Sequence, residues 1–145
     1  MTGGTATRES IRLVKALLAG EPAAATRIVA AVRQGLSGAA IQPLAATGLS
    51  LEEIAAVTGM SVRTMHRRIG DHAALDLADG DRLLRLAQVF GEAVQLIGGQ
   101  RRAIGWMRER SWDLGDLSPL ELLAAEPGVA MVRQALGAIG YGGVA

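Results

Sequence analysis

The stretch Ser50-Leu51-Glu52-Glu53-Ile54-Ala55-Ala56-Val57-Thr58-Gly59-Met60-Ser61-Val62-Arg63-Thr64-Met65-His66-Arg67-Arg68-Ile69 decides how the rest of the chain is read. Ser50 with Glu53 at the third helical position is a capping box, in which each side chain satisfies an otherwise orphaned amide of the other residue. Ile54, Ala55 and Val57 supply the apolar side of the helix so begun, and Gly59 permits a tight turn. Ser61 caps a second helix, where Val62, Met65 and Ile69 recur at helical spacing and face inward. Two short helices joined by a glycine turn make a helix-turn-helix.

The outward positions of the second helix are then Arg63, Thr64, His66, Arg67 and Arg68, with no acid among them. Such a face suits the major groove, where guanidinium groups fork onto guanine edges or phosphates and hydroxyls reach nearby acceptors. An ordinary solvated helix pair also tolerates Arg, a good helix former. The coincidence of caps, glycine turn, small Ala55 and acid-free basic face favours nucleic acid. We therefore expect Ser61, Arg63, Thr64, Arg67 and Arg68 to bind DNA.

Outward from this stretch, Gly and Pro punctuate the chain at helix-length intervals, and apolar residues recur at three and four rather than two. Thr7 is expected to cap a first helix with Ile11, Val14 and Leu18 on one face, ending at Gly20. Pro22 should open a second helix reaching Gly35, and a short third lies around residues 38–46. Asp79 is expected to cap a long helix from about Gly80 to Ile97, stopped by Gly98 and Gly99, with Leu83, Ala87, Phe90 and Val94 on its stripe. Another helix runs from Gln100 to about Arg110. Ser118-Pro119-Leu120-Glu121 is a second capping box with proline at its first helical position. Pro127 should start a last helix, with Val129, Val132, Leu136 and Ile139 on one face, that stops at Gly140 and leaves Tyr141 to Ala145 as a tail. The expected fold is all-α, with residues 1–70 an N-terminal helical region carrying the helix-turn-helix and residues 71–145 a C-terminal helical domain.

Composition agrees: 50% of the 145 residues are apolar and only 3% aromatic, and Ala, Leu and Arg dominate over the β-branched and aromatic residues, which favours helices over strands. A chain of this length buries roughly 68–70% of its unfolded surface, enough for a real core. Residues 1–70 carry 8 Lys/Arg against 4 Asp/Glu, and residues 71–145 carry 7 against 10. A basic half can face phosphates while an acidic half avoids them. With no long apolar run and no basic leader before an apolar segment, a cytoplasmic location without membrane contact is expected.

Chemistry is hard to assemble from these residues. The chain has no cysteine, which removes disulfides, thiolate metal sites and thiol nucleophiles. Asp76, Asp79 and Asp81 lack calcium-loop spacing and read better as helix-start acids. His66 and His72 have no companion nucleophile or second ligand, and no phosphate-cradling loop is present. Neither enzyme activity, metal nor cofactor is expected. Trp106 and Trp112 both suit partner anchors, with the core the preferred place for Trp106 and Trp112, in a polar loop, left open.

From about residue 35 onward the chain resembles the Xre/MbcA/ParS antitoxins. Ser61-Val62-Arg63-Thr64-Met65-His66-Arg67-Arg68 is similar to that family's recognition segment, and Asp81-Arg82-Leu83-Leu84-Arg85-Leu86 to its D-R-L-x-R-L. Ala103, Trp106, Leu114, Pro119-Leu120-Glu121-Leu122-Leu123, Gly128 and Tyr141-Gly142 follow in the family's order. Arg110-Ser111, Asp116, Ala125 and Gly143-Val144 depart from it, in loop and tail positions. The resemblance implies a type II antitoxin that binds a RES-type toxin, an NAD-degrading or ADP-ribosylating enzyme, or a ParT-type one, and occludes its active site. It also implies repression of the chain's own operon through operator DNA. Homodimerisation within a hetero-oligomeric complex is expected, since one short recognition helix offers few contacts and a two-fold dimer matches palindromic half-sites. The resemblance puts the C-terminus near the toxin's NAD pocket, so Tyr141, Gly142, Gly143, Val144 and Ala145 are the expected toxin-binding residues. A stand-alone regulator whose C-terminal domain binds a ligand or another protein is the alternative from a different class.

Overall fold

The structure, a computed structural model, describes residues 2–142. Nine α-helices account for the fold among the described residues: α1 Thr2–Leu18, α2 Ala25–Gln34, α3 Ile41–Ala46, α4 Leu51–Thr58, α5 Val62–Asp71, α6 Leu77–Ala93, α7 Gln100–Arg108, α8 Pro119–Leu122 and α9 Glu126–Gly142. A 3₁₀ turn at Gly38–Ala40 leads into α3, a π turn at Val94–Gly98 extends α6, and a second 3₁₀ turn at Trp112–Leu114 precedes α8. The all-α expectation holds. No described helix is long and apolar enough to cross a membrane.

α6 is the axis of the molecule. Leu83, Leu84, Leu86, Ala87, Val89, Phe90 and Ala93 are all buried, more of its circumference than the single stripe read from sequence, because α1, α2, α4, α7 and α9 all pack on it. A helix surrounded on most sides must be apolar on most sides. The buried side chains form one contiguous cluster from Leu13 in α1 to Leu136 in α9, with the helix-turn-helix contributing Ile54, Val57, Met60 and Met65.

Several helix boundaries differ from expectation, each for a local reason. Thr7 does not cap α1 but lies inside it, and its hydroxyl meets that of Ser37 at 3.2 Å. Ser10, one turn on, accepts the Ser37 amide at 3.0 Å, so these hydroxyls tie α1 to the 3₁₀ turn instead of starting a helix. Pro22 does not open α2, since Ala24 is still extended and the helix begins after it. Asp76 rather than Asp79 caps α6, its carboxylate accepting the Asp79 amide at 2.8 Å, which sets the start near Leu77 and puts Asp79 in the first turn, close to the helix dipole's positive end. α7 ends at Arg108 and α9 starts at Glu126, each within two residues of the expected limit.

Gly140 does not stop the last helix. A Cβ there would lie 2.8 Å from the Leu96 side chain, so the glycine serves a close approach to the π turn, and α9 continues through Gly142. Tyr141 and Gly142 are therefore helical rather than the start of a tail, while Gly143, Val144 and Ala145 lie outside the described residues.

Candidate functional site

The helix-turn-helix is built by its hydroxyl groups. The Ser50 hydroxyl accepts the Glu53 amide at 3.0 Å and the Glu53 carboxylate accepts the Ser50 amide at 2.9 Å, completing the capping box. At the far end Gly59 takes a left-handed φ of 83° and its amide closes on Ala55 O, a conformation that other residues reach only with strain. Buried Thr58 donates to Ile54 O at 2.9 Å and accepts from the Met60 amide at 3.3 Å, bracing the turn from inside. Ser61 then caps α5, accepting the Thr64 amide at 3.0 Å with its hydroxyl 2.9 Å from that of Thr64.

Met65 is fully buried beneath α5, with Val62 and Ile69 half-buried beside it. Arg63, His66 and Arg67 stand exposed on the opposite side, and among the described residues no carboxylate pairs with either arginine. Arg68 differs from them. It is half-buried and donates to Ala74 O at 3.2 Å, tying α5 to the loop before α6. The five expected DNA-binding residues thus divide into Arg63 and Arg67 free to reach out, Ser61 and Thr64 engaged in the helix cap, and Arg68 committed to the fold.

In the C-terminal segment, Ser118 and Glu121 complete the second capping box at the start of α8, which packs against α4, with amide contacts of 3.1 Å in both directions. Arg110 forks onto Glu121 at 2.9 and 3.2 Å, and this pairing, with the Ser118 amide, holds the Glu121 carboxyl below its ordinary range. Between them the loop closes on itself, the Ser111 amide donating to Leu117 O and the Asp116 amide to Ser111 O. Trp106 is half-buried against the core, as expected, whereas Trp112 is 85% exposed at the loop's tip.

Residues 27–88 match the family model described as the antitoxin Xre-like helix-turn-helix domain, and residues 85–142 match the antitoxin Xre/MbcA/ParS C-terminal toxin-binding domain. The chain belongs to this antitoxin family. It is similar to the protein "Antitoxin Xre" of Yersinia enterocolitica serotype O:8 / biotype 1B, 33% identical over 91 residues. It is also similar to "Antitoxin Xre" of Photorhabdus laumondii subsp. laumondii, 28% identical over 91 residues. In each case the match spans 62% of this chain and 62% of the relative's own length.

Two residues of this Xre-family chain escaped sequence reasoning as positioning groups. Arg82, within the D-R-L-x-R-L segment, donates to Thr58 O at 3.1 Å, placing a cation at the C-terminal end of α4 where the helix dipole favours it. Arg108 in α7 forks onto the Glu53 carboxylate and also donates to Gly48 O at 2.9 Å. Glu53 therefore serves a cap and an ion pair together, and chiefly through Arg108 its carboxyl lies below the usual value despite the opposing effect of burial. The residue types alone could not signal these contacts, because 24 and 55 positions of sequence separate the partners. The aspartates near the start of α6 have helix-building partners: Asp76 caps, and Asp81 pairs with Arg85 at 2.7 Å.

Proposed function

We propose that this chain is the antitoxin of a type II toxin–antitoxin pair: it binds and inhibits a RES-type or ParT-type toxin and represses its own operon. The observation that carries the reading is the joining of two matched segments on one core, a helix-turn-helix presenting unpaired Arg63 and Arg67 and a C-terminal toxin-binding segment over residues 85–142. The protein acts by binding and has no turnover of its own. Residues 1–70 serve DNA and residues 71–145 serve the toxin, in keeping with the charge division between the halves.

Arg63, Thr64 and Arg67 enter the major groove, with Ser61 and Arg68 fixing the helix that carries them. The protein works as a homodimer on paired half-sites. Tyr141 to Ala145 bind the toxin near its NAD pocket and help to exclude substrate there. Co-expression with the protein encoded by the adjacent reading frame tests this reading. Co-purification, suppression of NAD loss and a gel shift of the chain's own promoter are expected together. Promoter binding without any toxin partner would make the protein a stand-alone regulator.

A further inference from the structure

A groove of about 480 Å³ lies between the end of α7, the 111–117 loop, α8 and the last turns of α9. Its floor is apolar, formed by Trp106, Leu114, Pro119, Ala135 and Ile139, and its rim carries the carboxylates of Glu109 and Asp113. Trp112, between two residues of that rim, turns 85% of its surface to solvent. Large exposed aromatic rings on rigid loops are characteristic interface anchors.

Two further features set this surface apart. Arg110 is the cation nearest in sequence but is taken by Glu121, and among the described residues Glu109, Asp113 and Asp116 have no basic partner. Asp116 is also held at a left-handed φ of 61° beside Gly115 at 73°. Such strain in a side chain with a Cβ persists where the surroundings enforce it and clusters at functional positions. Asp116 does not line the groove itself, but it adds an unneutralised charge to the same loop that supplies Ser111, Asp113 and Leu114 to it.

We propose that this groove receives an arginine- or lysine-bearing segment of the toxin. The inference rests on the antitoxin reading and adds to it the surface and the chemistry of the partner. A long basic side chain has an apolar stem and a charged head. The floor accepts the stem and Glu109 and Asp113 receive the head, while the exposed Trp112 ring, next to Asp113 in the same loop but outside the groove lining, offers the partner a second, apolar anchor. The negative rim turns away nucleic acid, which the basic α5 face attracts. An enzyme that takes an anionic dinucleotide carries cations around its substrate site, and the groove reaches Ala138 and Ile139 in the last turns of α9.

The test measures affinity between the purified full-length chain and the toxin encoded by the adjacent reading frame, over a range of salt concentrations. Trp112→Ala is expected to weaken binding about 30-fold or more, as for an interface anchor. The triple variant Glu109→Gln/Asp113→Asn/Asp116→Asn is expected to slow association and flatten its salt dependence. If the wild-type chain fails to bind the toxin, the antitoxin reading falls and this inference with it. If the wild-type chain binds and the Trp112 and triple variants bind within about twofold of it, only the groove assignment falls. Loss of self-association by Trp112→Ala with toxin affinity unchanged would assign the surface to a second copy of the chain and overturn the inference.

Discussion

Arg108 in α7 grips Glu53 in α4 with two hydrogen bonds of 2.8 Å each, joining the segment matched to toxin binding to the first helix of the helix-turn-helix. The same guanidinium reaches Gly48 O at 2.9 Å, so one side chain fixes both the start of α4 and the turn before it. Fork-to-fork pairs of this kind are the strongest of ordinary ion pairs.

The pair has a pH signature. Glu53 titrates below its ordinary value of 4.5, chiefly because of Arg108. A depressed carboxylate binds fewer protons folded than unfolded, so its stabilisation is present above 4.5 and is lost as pH falls through the lower folded value. Arg108→Met should lower stability at neutral pH by about 1 kcal/mol, a figure discounted for the solvent exposure of the arginine. It should also flatten the acid side of the stability profile. Thermal unfolding of both proteins from neutral to acidic pH checks this, and parallel profiles would show that the pair contributes nothing.

Arg63 and Arg67 are exposed on one face of α5 and have no carboxylate partner among the described residues. Replacing both with Ala should remove operator binding while leaving Tm and toxin neutralisation unchanged. Each lost base contact costs about 1–3 kcal/mol, and each lost phosphate contact lowers the salt slope by roughly one. Arg68→Ala should behave differently, lowering Tm as well, because that side chain holds Ala74 O. Wild-type gel-shift affinity in the double variant would refute this placement.

Phe90 is fully buried in α6, within the one apolar cluster shared by both matched segments. Phe90→Ala should destabilise the protein by about 3–5 kcal/mol. The wild-type chain should unfold in one step, with tryptophan fluorescence and helix content following the same denaturant curve. Two separated transitions would mean that the halves fold independently.

Removal of residues 141–145 should leave DNA binding and most toxin affinity intact while weakening neutralisation, seen as residual NAD loss by a toxin that still co-purifies. Because α9 runs through Gly142, the truncation also trims the end of a helix, and circular dichroism should register only that small loss. Complete suppression of NAD loss by the truncated chain at equal concentration would assign occlusion to the helices before residue 141.

What the sequence determined by itself was local. The capping boxes at Ser50 and Ser118, the turn at Gly59 and the inward stripe of Val62, Met65 and Ile69 depend on residues within a few positions of one another, and the structure contains all of them. The exposed arginines of α5 were equally legible, because helical periodicity sorts exposed from buried positions without knowledge of any neighbour, although α5 runs on to the exposed acid Asp71. Tertiary structure alone decided what distant segments do to one another. It turned Thr7 from an expected cap into a tether for Ser37 and made Gly140 a contact point for Leu96 rather than a helix stop. It withdrew Arg68 from the basic face to hold Ala74 O and brought Arg82 and Arg108 to the two ends of α4. Serine, threonine, glycine and arginine each suit several local roles at similar energy, so the selection falls to whichever partner the packed core brings within reach.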